Sequence, residues 1–230
     1  MRFERMGAAS GAVYVLAIMI GNGLYESGSS GGDDGPGMLA DLQRETTMVH
    51  SVGLTLEVLG FTAFLVFLGY LYRVLRCAEG PDGWLASTAL GAGLVTVAIK
   101  LGSIAPVMAA DLRSQELTPD LVRTLMDLGG AAFVVSGYSS GIFVAAAAAA
   151  TLTGRVLPRW LALAGVAVGV LTVAAGAAGV LDPASYVPLP FLFGLLWLLV
   201  TSAVLTVRGS NPPAIGTQSA AMPMGAAAGS

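Results

Sequence analysis

The sequence predicts an all-α polytopic membrane protein with six transmembrane helices and both termini cytoplasmic. Three observations carry this expectation. Of 230 residues, 55% are hydrophobic and 11% charged, with a mean hydropathy of +0.78, whereas soluble domains average about 25% charged. Six apolar stretches reach the roughly 20 residues that cross about 30 Å of hydrocarbon. The basic residues gather in alternate connections between those stretches. This composition excludes a nucleic-acid binder and a disordered chain, and one cysteine, Cys77, excludes a disulfide scaffold.

The spans are expected at about 7–26, 51–75, 84–109, 128–152, 159–181 and 187–207, forming one domain over 1–207. Arg2 and Arg5 before the first span imitate a secretory signal. No small-residue cleavage site follows, however, and Tyr25-Glu26 occupies the processing region, so the segment reads as a retained helix. Ser27 to Gly37, rich in Gly, Ser and Asp and carrying Pro36, reads as a flexible loop. From Met38 to His50 the pattern turns helical, so the second span is expected to begin outside the bilayer and run in unbroken. Thr118-Pro119-Asp120 is a helix-start signature, with a capping Thr, a Pro in the first turn and an acid at the positive dipole end. The fourth helix is therefore also expected to begin before the membrane. The fifth span is built from Ala, Gly and Val, which partition into hydrocarbon less strongly than Leu, Ile or Phe. Asp182-Pro183 makes a short turn before the sixth span. Residues 208–230 are small residues, Pro and Met without periodicity and are expected to be a disordered cytoplasmic tail.

Charge placement sets the orientation. Arg2, Arg5, Arg73, Arg76, Arg155, Arg159 and Arg208 fall in the connections of one side, with Glu4, Glu79 and Asp82. The other side holds Arg44, Arg113 and Arg123 against ten acids. Basic residues near span ends mark the cytoplasmic side, and Trp84 and Trp160 at the cytoplasmic starts of spans fit an interfacial aromatic belt. The acidic outer face reads either as a cation-attracting or docking surface or as the plain consequence of arginines being excluded from it.

Two charges, Glu57 and Lys100, lie within the spans, and Lys100 is the single lysine of the chain. A charge at bilayer depth costs about 2.5–3.5 kcal/mol on insertion scales and needs a partner or an aqueous cavity. Counting rise from the outer ends puts Glu57 about 10 Å and Lys100 about 15 Å below the outer surface. The short turn between the second and third spans makes them antiparallel neighbours, so a Glu57–Lys100 pair is expected. Asn22, Ser136, Tyr138, Ser139 and Ser140 fall at similar depth, Thr96 and Ser103 share the Lys100 face, and His50 lies two turns above Glu57. Together they outline an outward-facing polar pocket among the first four spans, with Glu57, Lys100, Tyr138, Ser136, Asn22 and His50 as candidate ligand-binding residues. Pro106 is expected to kink the third span just above Lys100, whereas Pro188 and Pro190 stand where a helix start tolerates proline.

The plain alternative is a structural Glu57–Lys100 pair in a bundle held by small-residue packing. Gly7/Gly11, Gly137/Gly141 and Gly165/Gly169 have the four-residue spacing that brings helices close. No phosphate-binding loop, zinc motif, nucleophile elbow or Cys/His cluster occurs, and a lone histidine supplies no bis-histidine haem site. No metal, cofactor or catalytic residue is assigned. A three-plus-three inverted repeat would put a counterpart of Glu57 in the fifth span, which has no charge, and this argues against a symmetric secondary transporter.

The stretch Gly154-Arg155-Val156-Leu157-Pro158-Arg159-Trp160-Leu161, leading into a small-residue helix, resembles a junction common in uncharacterised six-helix bacterial membrane proteins. The Ala/Gly/Val/Arg-rich, lysine-poor composition is similar to that of actinobacterial proteins. The resemblance implies a bacterial inner (cell) membrane location and carries no activity or site residue. Three functions follow from the residues: a membrane protein that binds or translocates a small ligand or proton at Glu57 and Lys100; a non-catalytic membrane subunit or scaffold docking a membrane-protein partner; and, ranked last, an intramembrane enzyme on a lipophilic substrate with Glu57 as acid near Tyr138. The bilayer is the expected partner in all three, and nucleic acid in none.

Overall fold

A computed structural model of the protein describes residues 2–26, 34–44, 47–182 and 186–208. Among the described residues the fold is all-helical: α1 (Arg2–Glu26), α2 (Gly35–Arg44), α3 (Thr47–Glu79), α4 (Leu85–Leu112), α5 (Pro119–Gly154), α6 (Arg159–Leu181) and α7 (Leu189–Arg208). All but α2 are long and apolar enough to cross a membrane. The six expected spans lie on these six helices, with starts that differ by up to two residues for α4 and α7.

Helix ends follow local chemistry. Gly80, in the left-handed region at φ 80°, stops α3 and sends its N–H back to the Arg76 carbonyl at 3.3 Å. Arg76 then holds the turn, donating to the Gly83 carbonyl and, at 2.7 Å, to that of Pro81. Glu79 reaches across to accept the Ala86 N–H at 2.9 Å. It thereby caps α4, whose own N-cap residue, Trp84, has no side chain able to do so. α5 begins at the expected Thr118-Pro119, but the Thr118 hydroxyl makes no capping bond. Its carbonyl instead accepts the N–H groups of Leu121 and Val122, each at 3.1 Å.

The stretch before the second span differs from expectation. It forms two helices, α2 and α3, with 45–46 between them outside the described residues, as are 27–33 of the expected loop. Pro36 and Gly37 belong not to that loop but to the first turn of α2, because the Asp34 carboxylate accepts the Gly37 N–H at 3.1 Å and the Asp34 carbonyl the Met38 N–H at 3.0 Å. α4 continues through Pro106 to Leu112. Arg208, counted with the tail, is the last residue of α7, and the rest of the expected disordered tail lies outside the described residues.

The six long helices close a ring in the order α1, α3, α4, α5, α6, α7, with α5 also touching α3 and α7 across the middle. At one end Arg73 pairs with Glu4 at 2.5 Å, joining α3 to α1. At the same end Gly154 abuts Ala78, and Arg208 donates to the Val156 carbonyl at 3.4 Å. This arginine-rich end gathers the start of α1, the α3–α4 and α5–α6 connections and the end of α7. At the opposite, acidic end α2 packs on α5, with Gln43 donating to the Ser114 carbonyl at 3.0 Å. Alternation of the connections, read from charge alone, is thus the alternation of the fold.

All three glycine pairs sit at helix contacts. A Cβ added to Gly7 or Gly11 would lie 2.9 Å from Tyr70 or 2.7 Å from Phe67 of α3. One added to Gly141 would lie 2.6 Å from the Gly169 carbonyl, and one added to Gly169 would lie 2.6 Å from the Ala145 amide, so α5 and α6 approach backbone to backbone. α1 is part of the core rather than an appendage: Tyr14, Val15 and Ile18 are buried, and Tyr14 stacks on Phe64 at 4.5 Å. Ser202 of α7 inserts its hydroxyl at one step of the α1 ladder, donating to the Ala8 carbonyl at 2.5 Å and accepting the Ala12 N–H at 2.9 Å.

Candidate ligand-binding site

α3 and α4 touch where Leu68 packs over Gly93. Toward the acidic end, a cleft opens between α1 and α3 on one side and α4 and α5 on the other. Its outer chamber, about 240 Å³, is lined by Asn22 of α1, Leu54 and Glu57 of α3, Ser103, Ile104 and Val107 of α4, and Gly129, Gly130 and Phe133 of α5. An inner chamber of about 60 Å³ continues from it, lined by Lys100 and by Tyr14, Phe61, Phe133 and Phe191. Asn22, Glu57, Ser103, Ile104 and Phe133 border both chambers.

Lys100 is 4% exposed, and its Nζ has no hydrogen-bond partner. The expected direct contact with Glu57 is not made: among the described residues neither a hydrogen bond nor an ion pair joins the two. The lysine stem instead lays Nζ 2.9 Å from the Phe133 ring centroid and 4.4 Å from that of Phe191. The negative faces of these rings attract a cation, by about 2 kcal/mol where water is excluded, but rings accept none of the three ammonium N–H bonds in the ordinary sense. Phe133 is held edge-on by Phe191 at 5.2 Å and by Tyr186 at 6.1 Å. Tyr186, in the α6–α7 connection, has its phenol pushed above its ordinary pKa by burial.

Glu57 is half-buried at the junction of the chambers, against Gly21 of α1, where an added Cβ would lie 2.9 Å from its Cγ. The polar neighbours divide into those that serve the cleft and those that serve the fold. Asn22 uses its Nδ2 on the Ile18 carbonyl at 3.0 Å, and Ser103 uses its proton on the Lys100 carbonyl at 2.7 Å. Each therefore keeps oxygen lone pairs to offer.

Ser136 does not line the cleft. It is 1% exposed and donates to the Phe133 carbonyl at 2.6 Å. Thr96, on the Lys100 face, instead donates to Ser139 at 2.9 Å, joining α4 to α5. Tyr138 is half-buried and lines neither chamber. His50 lies on α3, but its side chain is outside the described residues.

Of the six candidates, then, the fold brings Glu57, Lys100 and Asn22 together. It adds an aromatic lining from Tyr14, Phe61, Phe133 and Phe191 that the charges alone did not reveal. The pocket also draws on the last span, through Phe191, as well as on the first four. The available signal was that a buried ammonium needs π faces at its own depth, yet with 8 Phe and 6 Tyr in the chain, depth alone selects none of them. Comparison with protein-family models, with curated proteins and with solved structures finds no match to this chain.

Proposed function

We propose that this is a multi-pass membrane protein, its arginine-rich end and both termini cytoplasmic, that binds a small ligand in the outward-facing cleft, with Lys100 and Glu57 as its polar anchors. One observation carries the reading: a primary amine sealed into the bundle at the wall of a cavity with no hydrogen-bond partner. A lysine kept only for structure is expected to close on the nearest carboxylate, because an unpartnered buried charge is the costly arrangement. Here the carboxylate stands at the same cavity and the two are left unjoined, which suits groups that meet a third. The arginine asymmetry between the two ends supports the orientation.

Because Lys100 is the only lysine, amine chemistry reads it alone besides the α-amino group. Reductive methylation of the full chain in nanodiscs with ¹³C-formaldehyde is expected to add a dimethylamine NMR signal that is shifted upfield by the Phe133 ring and absent in Lys100→Met. Modification of Lys100 only after unfolding would mean that nothing from solution reaches it, and the reading falls.

A further inference from the structure

We propose that the cleft takes a small zwitterion, its anionic group against Lys100 Nζ and its ammonium group against the Glu57 carboxylate. This deepens the ligand-site reading and rests on it. The polarity of the cavity is directional. The inner chamber is lined by the Lys100 ammonium, which donates three hydrogen bonds and accepts none, and by Tyr14, whose phenol can donate or accept. At the junction with the outer chamber the one charged group is an acceptor, and the other groups there add further acceptor oxygens. They are the Glu57 carboxylate, the Asn22 amide oxygen, beside a nitrogen that has one of its two N–H groups on Ile18, and the Ser103 oxygen, whose proton is spent on Lys100.

A lone anion on Lys100 would be repelled by Glu57 in a poorly screened site, and a lone cation on Glu57 would leave Lys100 unpartnered beside a second positive charge. A molecule carrying both charges meets donor with acceptor at each end, and the site and ligand together stay neutral, as burial at bilayer depth demands. The remaining walls of the outer chamber, from Leu54, Ile104 and Val107, are apolar and accommodate a hydrocarbon group between or beside the charges.

Both chambers are smaller than the roughly 300–1,000 Å³ of drug-sized sites, which fits a metabolite of amino-acid size. The same chemistry, an amine beside an anionic group, occurs in a neutral amino acid and in a phosphatidylethanolamine headgroup.

The test uses the full chain in phosphatidylcholine nanodiscs, with thermal unfolding and titration calorimetry as readouts. The probes are L-alanine, L-leucine and L-phenylalanine, and two analogues of leucine that each keep one charge, 4-methylpentanoate and 3-methylbutylamine. In a parallel arm, phosphatidylethanolamine replaces part of the phosphatidylcholine.

A zwitterion is expected to bind, with each one-charge analogue weaker by about 30-fold or more, the cost of leaving a buried charge unpaired. Lys100→Met and Glu57→Gln are each expected to abolish the preference. Stabilisation by an amino acid assigns a soluble ligand, and stabilisation only by phosphatidylethanolamine assigns the lipid headgroup; either supports the proposal. If 4-methylpentanoate binds as tightly as leucine, and Lys100→Met removes both, the site holds an anion alone. The zwitterion is then overturned while the ligand site stands. If no amino acid binds and phosphatidylethanolamine has no effect, the zwitterion is overturned as well, and the methylation result independently decides whether the cleft is a reachable site at all.

Discussion

A charge within a bilayer costs about 2.5–3.5 kcal/mol on insertion scales; Lys100, in a helix apolar enough to span one, meets two aromatic faces and no hydrogen-bond partner. Replacing it with methionine, of similar length and able to fill irregular space, removes an unsatisfied donor worth about 1–3 kcal/mol. The ligand-free Lys100→Met protein is therefore expected to unfold at a higher temperature than wild type while losing ligand-dependent stabilisation. A lower midpoint without ligand would instead identify the amine as a structural element. Thr201 makes an internal comparison, since its hydroxyl is also buried without a partner and lines neither chamber of the cleft. Thr201→Val, nearly the same shape, is expected to match or slightly exceed wild-type stability and to leave ligand binding unchanged. The sequence picks out Lys100 because charge at span depth is rare. It cannot reveal that Nζ turns toward Phe133 rather than Glu57, because that choice depends on where α5 and α7 set their rings.

At the level of helices, the α5–α6 contact depends on the absence of side chains. Gly141→Leu drives atoms into the Gly169 carbonyl and the Val173 amide, 2.6 and 2.8 Å from where its Cβ would stand. It is expected to lower stability by about 1–3 kcal/mol. Gly91, with open space where a Cβ would go, is the control, and Gly91→Ala is expected to leave the midpoint unchanged or raised. If both variants behave alike in detergent unfolding, close helix approach is not what holds this pair.

The α1–α7 contact includes one hydroxyl set into the Ala8–Ala12 step. Ser202→Ala is expected to lose about 1 kcal/mol, the size of an interhelical hydrogen bond in a membrane protein, measured in the same unfolding assay. The glycine pairs were visible as spacing in the sequence, because a four-residue repeat defines one helix face. The Ser202 insertion was not, since it joins residues about 190 positions apart. The first turn of α2, Gly35 to Gly37, was missed for a local reason: a Gly/Ser/Asp run with a proline resembles a loop by composition, whereas Asp34 before Pro36 is a helix start once a capping bond is counted.

Across the whole molecule, charge divides the bundle into an arginine-rich end and an acidic end, and a single cysteine reports which faces the cytoplasm. Cys77 is exposed near the arginine-rich end of α3. An impermeant maleimide added to intact cells is expected to leave it unlabelled, and to label it once the membrane is permeabilised. Leu112→Cys in a Cys77→Ser background, exposed at the acidic end, is expected to react without permeabilisation. The reverse pattern would invert the topology and turn the cleft toward the cytoplasm.

Number and alternation of the long apolar helices were legible in the residues, because apolar length and the bias of arginine toward one set of connections are properties of each segment separately. So was the presence of two charges well inside the long apolar helices. The cleft that holds them was not, because it forms where α3 and α4 part beyond the Leu68–Gly93 contact and α7 closes the inner wall with Phe191. These are distances between separate helices, with α7 coming from the far end of the chain, and no single segment encodes them. Packing thus changed the meaning of Lys100 from half of an expected ion pair to an unpartnered donor set over the Phe133 ring at the wall of a cavity.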